Sequence, residues 1–150
     1  LVQFVFESKV IAVAGDSIFL LPGIYNESVT LKSGITLIGY SKDTTSLASS
    51  TDTIIVPAGG DVTIRNISIT ASGTGKSAIK ADVVGGNYVV LDNVNLTSDS
   101  DGYPIYAKDC TCSIEANNIN GLGGQSYFEN CDDIIINGCH DINNMFSRLF

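Results

Sequence analysis

The chain repeats itself, and the repeat restricts its fold more than any other feature. Asp61 to Thr70 reads DVTIRNISIT, two short alternating segments hinged on Arg65 and Asn66. Val62 and Ile64 flank Thr63, and Ile67 and Ile69 flank Ser68, so each half has the two-residue period of a strand. The pattern returns as YVVLDNVNLT from Tyr88 to Thr97. It returns more loosely as CSIEANNIN from Cys112 to Asn120 and as IIINGCHDIN from Ile134 to Asn143. A strand-rich unit recurring at about two dozen residues predicts a solenoid of stacked coils.

Three columns advance together. One aligns Ile35, Val62, Val89, Cys112 and Ile134, at steps of 27, 27, 23 and 22. A second aligns Ile67, Val94, Ile119 and Ile142, at steps of 27, 25 and 23. A third aligns Ile54, Ile79, Ile105 and Tyr127, at steps of 25, 26 and 22. Three columns predict three strands per coil, and four to five coils at about 4.8 Å each make a rod about 20–25 Å long. A coil buries one face only against its neighbours, so both ends need caps. The expected single domain fills residues 1–150, with 1–14 as a short helical N-terminal cap, 15–143 as coils and 144–150 as a C-terminal cap or docking tail.

Gly15 to Gly39, GDSIFLLPGIYNESVTLKSGITLIG, carries a resemblance. It is similar to the opening coil of right-handed parallel β-helix proteins of the pectin-lyase-like superfamily, where a capping helix precedes a GD turn, a strand, a PG-x-Y segment and an I-x-L-x-G strand. The resemblance implies an all-β, right-handed parallel β-helix. It implies no single activity, because the superfamily includes lyases, hydrolases, esterases, adhesins and viral parts.

Asn66, Asn93 and Asn118 occupy the bend of successive units. Asn accepts left-handed backbone and can hydrogen-bond a stacked neighbour. In the resembled superfamily such a stack is an asparagine ladder, so these residues are expected to be structural. Asn66 also heads a sequon, as do Asn26 and Asn95. A ladder amide cannot carry a glycan, which leaves Asn26 and Asn95 as the glycosylation candidates.

Polysaccharide-cleaving members of the superfamily use carboxylates, with Arg or Lys, on the outer face of one strand column. Alternation predicts which residues point outward here. The first column offers Thr36, Thr63, Val90, Ser113 and Ile135, the second Ser68, Thr70, Asn95, Thr97 and Asn120, and the third Lys80, Tyr106 and Phe128. No column presents paired acids, so no catalytic residue is assigned. Asp92 and Glu115, near Arg65, form the best remaining acidic set, weighed against a plain solvated edge. Val90, Ile135, Tyr106 and Phe128, with Met145, Phe146 and Phe150 in the tail, read instead as an apolar interface.

Other chemistry is thinly supported. Cys110, Cys112, Cys131, Cys139 and His140 hold enough donors for zinc. Cys110 and Cys131, however, are 21 residues apart, about one coil, which favours stacked core thiols over a disulfide or a metal. Asp99, Asp101 and Gly102 give D-x-D-G without the other ligands of a Ca²⁺ loop, so a turn is expected, no cofactor is assigned, and calcium is the one alternative. A net charge of −8 with no Lys or Arg cluster argues against nucleic acid as a partner. No apolar run of about 18 residues predicts membrane insertion.

These readings lead to an expected non-catalytic structural or interaction module, packed against other protein chains of a surface, fibre, shell or adhesin assembly. The alternative is a carbohydrate-active enzyme or carbohydrate-binding module for acidic polysaccharide. Sequons and resemblance place it outside the cell, on a cell surface or on a virion.

Overall fold

The computed structural model describes residues 11–56, 59–81, 87–108, 112–117, 120–131 and 133–138. Sixteen strands follow in order: β1 (Ser17–Leu20), β2 (Gly23–Asn26), β3 (Val29–Thr30), β4 (Ile35–Gly39), β5 (Thr45–Ser49), β6 (Ile54–Ile55), β7 (Val62–Arg65), β8 (Ser68–Ala71), β9 (Ser77–Ala81), β10 (Asn87–Asp92), β11 (Asn95–Ser98), β12 (Tyr103–Lys108), β13 (Cys112–Asn117), β14 (Asn120–Leu122), β15 (Tyr127–Glu129) and β16 (Asp133–Asn137). Every third strand stacks on the last. The first sheet runs β1-β4-β7-β10-β13-β16, the second β2-β5-β8-β11-β14 and the third β3-β6-β9-β12-β15, all parallel. The chain is a right-handed parallel β-helix with three strands per coil.

The core is the space between the three sheets. Ile35, Leu37, Val62, Ile64, Val89 and Leu91 enter it from the first sheet, Leu47, Ile69 and Leu96 from the second, and Ile54, Ile79, Ile105 and Phe128 from the third. Each is at most 2% exposed. Burying a side chain of this kind contributes about 1.5–3 kcal/mol.

Between β7 and β8, and between β10 and β11, the turn from the first sheet to the second pivots on one left-handed residue. Asn66 (φ 53°) and Asn93 (φ 56°) are left-handed there, a conformation that Asn tolerates and β-branched residues resist. Their amides stack, with Asn93 Nδ2 donating to Asn66 Oδ1 at 2.9 Å. Their backbone N–H groups donate across coils to Asp92 O at 3.2 Å and Asn117 O at 2.9 Å respectively. Asn118 lies outside the described residues, as do residues 1–10 of the expected cap and the tail residues Met145, Phe146 and Phe150.

Two registers differ from those expected from the sequence. In the first sheet Val89 pairs with Ile114, and Ile114 with Ile134, so Cys112 is not the column residue. The displacement is two residues. Alternation cannot detect it, because an even shift keeps every side chain on its face. In the third sheet the displacement is one residue: Tyr106 pairs with Tyr127, and Ala107 with Phe128. An odd shift exchanges the faces. Phe128 is therefore 2% exposed in the core and not on an interface, and Tyr127 takes the outer place. The fully apolar ring fills the interior, and the ring with a hydroxyl faces water.

Candidate functional site

The three outer faces differ in chemistry. The second sheet presents Ser68, Thr70, Asn95 and Thr97, small and uncharged. The first and third sheets collect ionisable and aromatic groups.

On the third sheet the row along the rod axis is Ile55, Lys80, Tyr106 and Tyr127. The rings of Tyr106 and Tyr127 stack at 5.2 Å with 12° between their planes. Tyr103, at the start of β12, meets both edge-on, at 5.2 Å and 6.1 Å. Three rings thus form a corner of one stacked pair and one crossing ring. Such rings offer amphipathic contact area to a ligand with apolar faces and polar edges.

Two ion pairs flank the rings. Lys80 Nζ lies 3.2 Å from Asp52 Oδ2, while the other oxygen of Asp52 accepts the backbone N–H of Ser77 at 2.9 Å. Asp52 is thereby tied to its neighbours and holds Lys80 at the row. Lys108 Nζ lies 3.7 Å from Glu129 Oε1, and the Tyr127 hydroxyl donates to Glu129 Oε2. That hydrogen bond is the main cause holding the Tyr127 phenol above its ordinary pKa; desolvation and the charge of Glu129 add to it, and Lys108 opposes it. Tyr127 is a proton-retaining donor to Glu129.

An open groove of about 480 Å³ borders this face. It runs between Ser100 to Tyr103 and Gly123 to Gln125, so Tyr103 belongs to both groove and ring corner. Glycine makes the floor: a Cβ on Gly124 would stand 1.9 Å from Gly102 O, and one on Gly123 (φ 104°) 1.8 Å from Ser98 O. Successive loops can nest this closely only without side chains there. The Asp99 carbonyl accepts from Gly102 N at 2.9 Å and Gly124 N at 3.0 Å, so the D-x-D-G stretch forms a turn that joins two coils. Among the described residues no three His, Cys, Asp or Glu side chains come together as a metal site.

The first sheet carries a second polar row. The corrected register sets Glu115, not Ser113, beside Val90 and Ile135. Tyr88 donates to Glu115 Oε2 at 2.5 Å, Asn117 Nδ2 to Oε1 at 2.9 Å, and Asn137 Nδ2 to Asn117 Oδ1 at 3.0 Å. The Asn117 bond first, then that of Tyr88, hold the Glu115 carboxyl below its ordinary pKa, against some desolvation. The Tyr88 phenol is raised by the same bond. Arg65 pairs loosely with Asp92 at 3.7 Å. Glu115 is thus an ionised acceptor with its oxygens engaged, a latch between coils.

Val90 is half-buried and Ile135 is 47% exposed on this sheet. Asn26 is exposed at the end of β2, whereas the Asn95 amide is half-buried and donates to Ser68 Oγ at 3.1 Å. The Cys131 thiol is half-buried, 3.7 Å from Ala107 O. Cys110, Cys139 and His140 lie outside the described residues.

Sequence reasoning missed Tyr103, Tyr127, Glu129 and Asp52. A signal for two of them existed. The steps Tyr106 to Tyr127 and Lys108 to Glu129 are both 21, the same as Cys110 to Cys131. Applied to the third column, that step would have turned Tyr127 outward.

No protein-family model matches the chain, and no curated protein matches it. Solved structures do. A pectin methylesterase mutant in complex with a hexasaccharide matches with a TM-score of 0.56 at 16% identity, over 88% of this chain and 51% of that one. Pectin methylesterase PemA from Erwinia chrysanthemi matches with a TM-score of 0.57 at 19% identity, over 88% and 51%. A pectin methylesterase from Yersinia enterocolitica matches with a TM-score of 0.55 at 14% identity, over 79% and 54%. The fold is that of the pectin-lyase-like parallel β-helix. The chain spans about half the length of each of these structures.

The expectation of a non-catalytic assembly module is corrected by these findings. Its neighbours in structure are carbohydrate-active enzymes, which favours the carbohydrate alternative. Two of its premises also change. Phe128 leaves the apolar outer set, and the third outer face gains Tyr127 with its partner Glu129.

Proposed function

We propose that this chain is part of a carbohydrate-active enzyme that takes an acidic polysaccharide of the pectin type on the outer face of its third sheet. The observation that carries this reading is the convergence of three tyrosines with Lys80, Lys108 and Glu129 on one face. Tyrosine rings pack against the C–H faces of sugars, and the lysines attract uronate carboxylates. The neighbours in structure support the substrate class by their names.

The chemistry follows from the two carboxylates. Hydrolysis of a glycosidic link needs two carboxyl groups across the bond, each able to exchange a proton or attack. Asp52 is committed to the Ser77 amide and Lys80. Glu129 is engaged too, by Lys108 and the Tyr127 hydroxyl. Its side chain, however, is 33% exposed against 15% for Asp52, so among the described residues it is the carboxylate of this face that water and substrate can reach. A single carboxylate beside a cation suits ester hydrolysis: Glu129 takes the proton of an attacking water, and Lys108 stabilises the oxyanion that forms on the ester carbonyl. As the carbonyl re-forms, the C–O bond to the methoxy group breaks and Glu129 returns its proton, releasing methanol and the free uronate. Extracellular placement accords with such a substrate and with the exposed sequon at Asn26.

Methanol release from methyl-esterified polyuronate tests the reaction, with reducing ends and unsaturated uronides measured in parallel. Glu129→Gln is expected to lower kcat at least about 100-fold, the typical effect of losing a general base, with KM little changed. Tyr106→Ala is expected to raise KM. Wild-type turnover that survives Glu129→Gln would remove Glu129 from the mechanism, and no turnover or binding of any acidic polysaccharide would sink the reading.

A further inference from the structure

The row Lys80, Tyr106 and Tyr127 runs along the rod axis, one residue per coil. A polysaccharide backbone lying on it runs along the axis too. The groove between Ser100 to Tyr103 and Gly123 to Gln125 does not continue that row. It lies to one side of the row, at the loops that precede β12 and β15, and its lining meets the ring corner at Tyr103. Whatever enters it departs laterally from the backbone.

The lining defines what can enter. Among the described residues that line the groove, Asp101 is the one charged side chain and none is Lys or Arg. Ser100, Asp101 and Gln125 are exposed and bring a hydroxyl, a carboxylate and an amide. The floor is backbone, because Gly123 and Gly124 have no side chains to fill it. A second carboxylate brought beside Asp101 would be repelled. Sugar hydroxyls would find both donors and acceptors.

We infer that this groove receives an uncharged sugar branch, so that the preferred substrate is a branched acidic polysaccharide and not a linear one. The inference rests on the reading of the third sheet as the glycan face, and it adds the branch. Gln125 and Ser100 bond the branch hydroxyls, Tyr103 packs on its ring, and Asp101 excludes an acidic substituent.

Calorimetric titration with two probes tests this: a linear uronate hexasaccharide, and the same hexasaccharide bearing one neutral hexose branch. One or two added hydrogen bonds predict about tenfold tighter binding of the branched probe. Gln125→Ala is expected to remove most of that preference and leave the linear probe unaffected. Asp101→Asn is expected to improve binding of a probe with a uronate branch by about fivefold, the loss of one unscreened repulsion at contact distance. Both positions are exposed, so thermal melts of the variants should match wild type. Equal affinity for linear and branched probes overturns the branch subsite while the glycan face stands. Binding of neither probe overturns both, and binding that Tyr106→Ala leaves intact shows that the face itself is wrongly placed.

Discussion

Replacing Asn93 by Ala and by Gly separates two contributions to the bend between the first and second sheets. Asn93 is left-handed at φ 56° and its amide donates to Asn66 Oδ1 at 2.9 Å. Either substitution deletes that hydrogen bond, worth about 1 kcal/mol. Alanine also forces a Cβ into left-handed backbone without the local bonding that Asn offers, at about 1–2 kcal/mol. Glycine avoids that strain but has more unfolded-state freedom to lose, about 0.5–1 kcal/mol. The sums are about 2–3 kcal/mol for Asn93→Ala and about 1.5–2 kcal/mol for Asn93→Gly. With a urea slope of about 2 kcal/mol/M, the midpoints should fall by somewhat over 1 M and by somewhat under 1 M respectively. A double-mutant cycle with Asn66→Ala should return a coupling of about 1 kcal/mol. Glycine at least as destabilising as alanine would refute the strain argument, and zero coupling would refute the ladder bond.

The remaining outcomes concern registers and charge. Phe128→Ala should cost about 3–5 kcal/mol in urea unfolding, whereas Tyr127→Ala, outside the core, should cost far less; the reverse order would restore the register read from the sequence. The Glu115 carboxyl is lowered in the folded chain, so its contribution is present above the unfolded carboxylate pKa of about 4.3 and disappears as pH falls through the folded value. Glu115→Gln should therefore flatten the acid limb of the stability profile. An unchanged acid limb would show that the Tyr88–Glu115–Asn117 latch contributes nothing.

Architecture was legible in the sequence because it rests on alternation and period, which DVTIRNISIT and its copies state outright. The bend was legible for a related reason. Few residue types tolerate left-handed backbone, so Asn66 and Asn93 mark the corner by identity alone. The outer faces were not legible to the same degree. They depend on register, and register depends on loop length, which varies along this chain: Ser17 to Thr36 takes 19 residues, Val62 to Val89 takes 27 and Ile114 to Ile134 takes 20. A two-residue displacement hid Glu115 behind Ser113. A one-residue displacement exchanged Tyr127 with Phe128, and with it a corner of stacked tyrosines for an apolar patch. Asp52 could not be found by any strand pattern, because it sits in the turn before β6 and reaches Lys80 across coils.

The most direct test of the glycan face is a solution NMR titration with an acidic oligosaccharide, read at the tyrosine rings and the lysine and glutamate side chains. Resonances of Tyr103, Tyr106, Tyr127, Lys80, Lys108 and Glu129 are expected to shift together and saturate with one affinity, while Thr70, Asn95 and Thr97 on the second sheet stay still. Shifts confined to the second sheet, or to the Tyr88–Glu115 row of the first, would contradict the glycan-face reading.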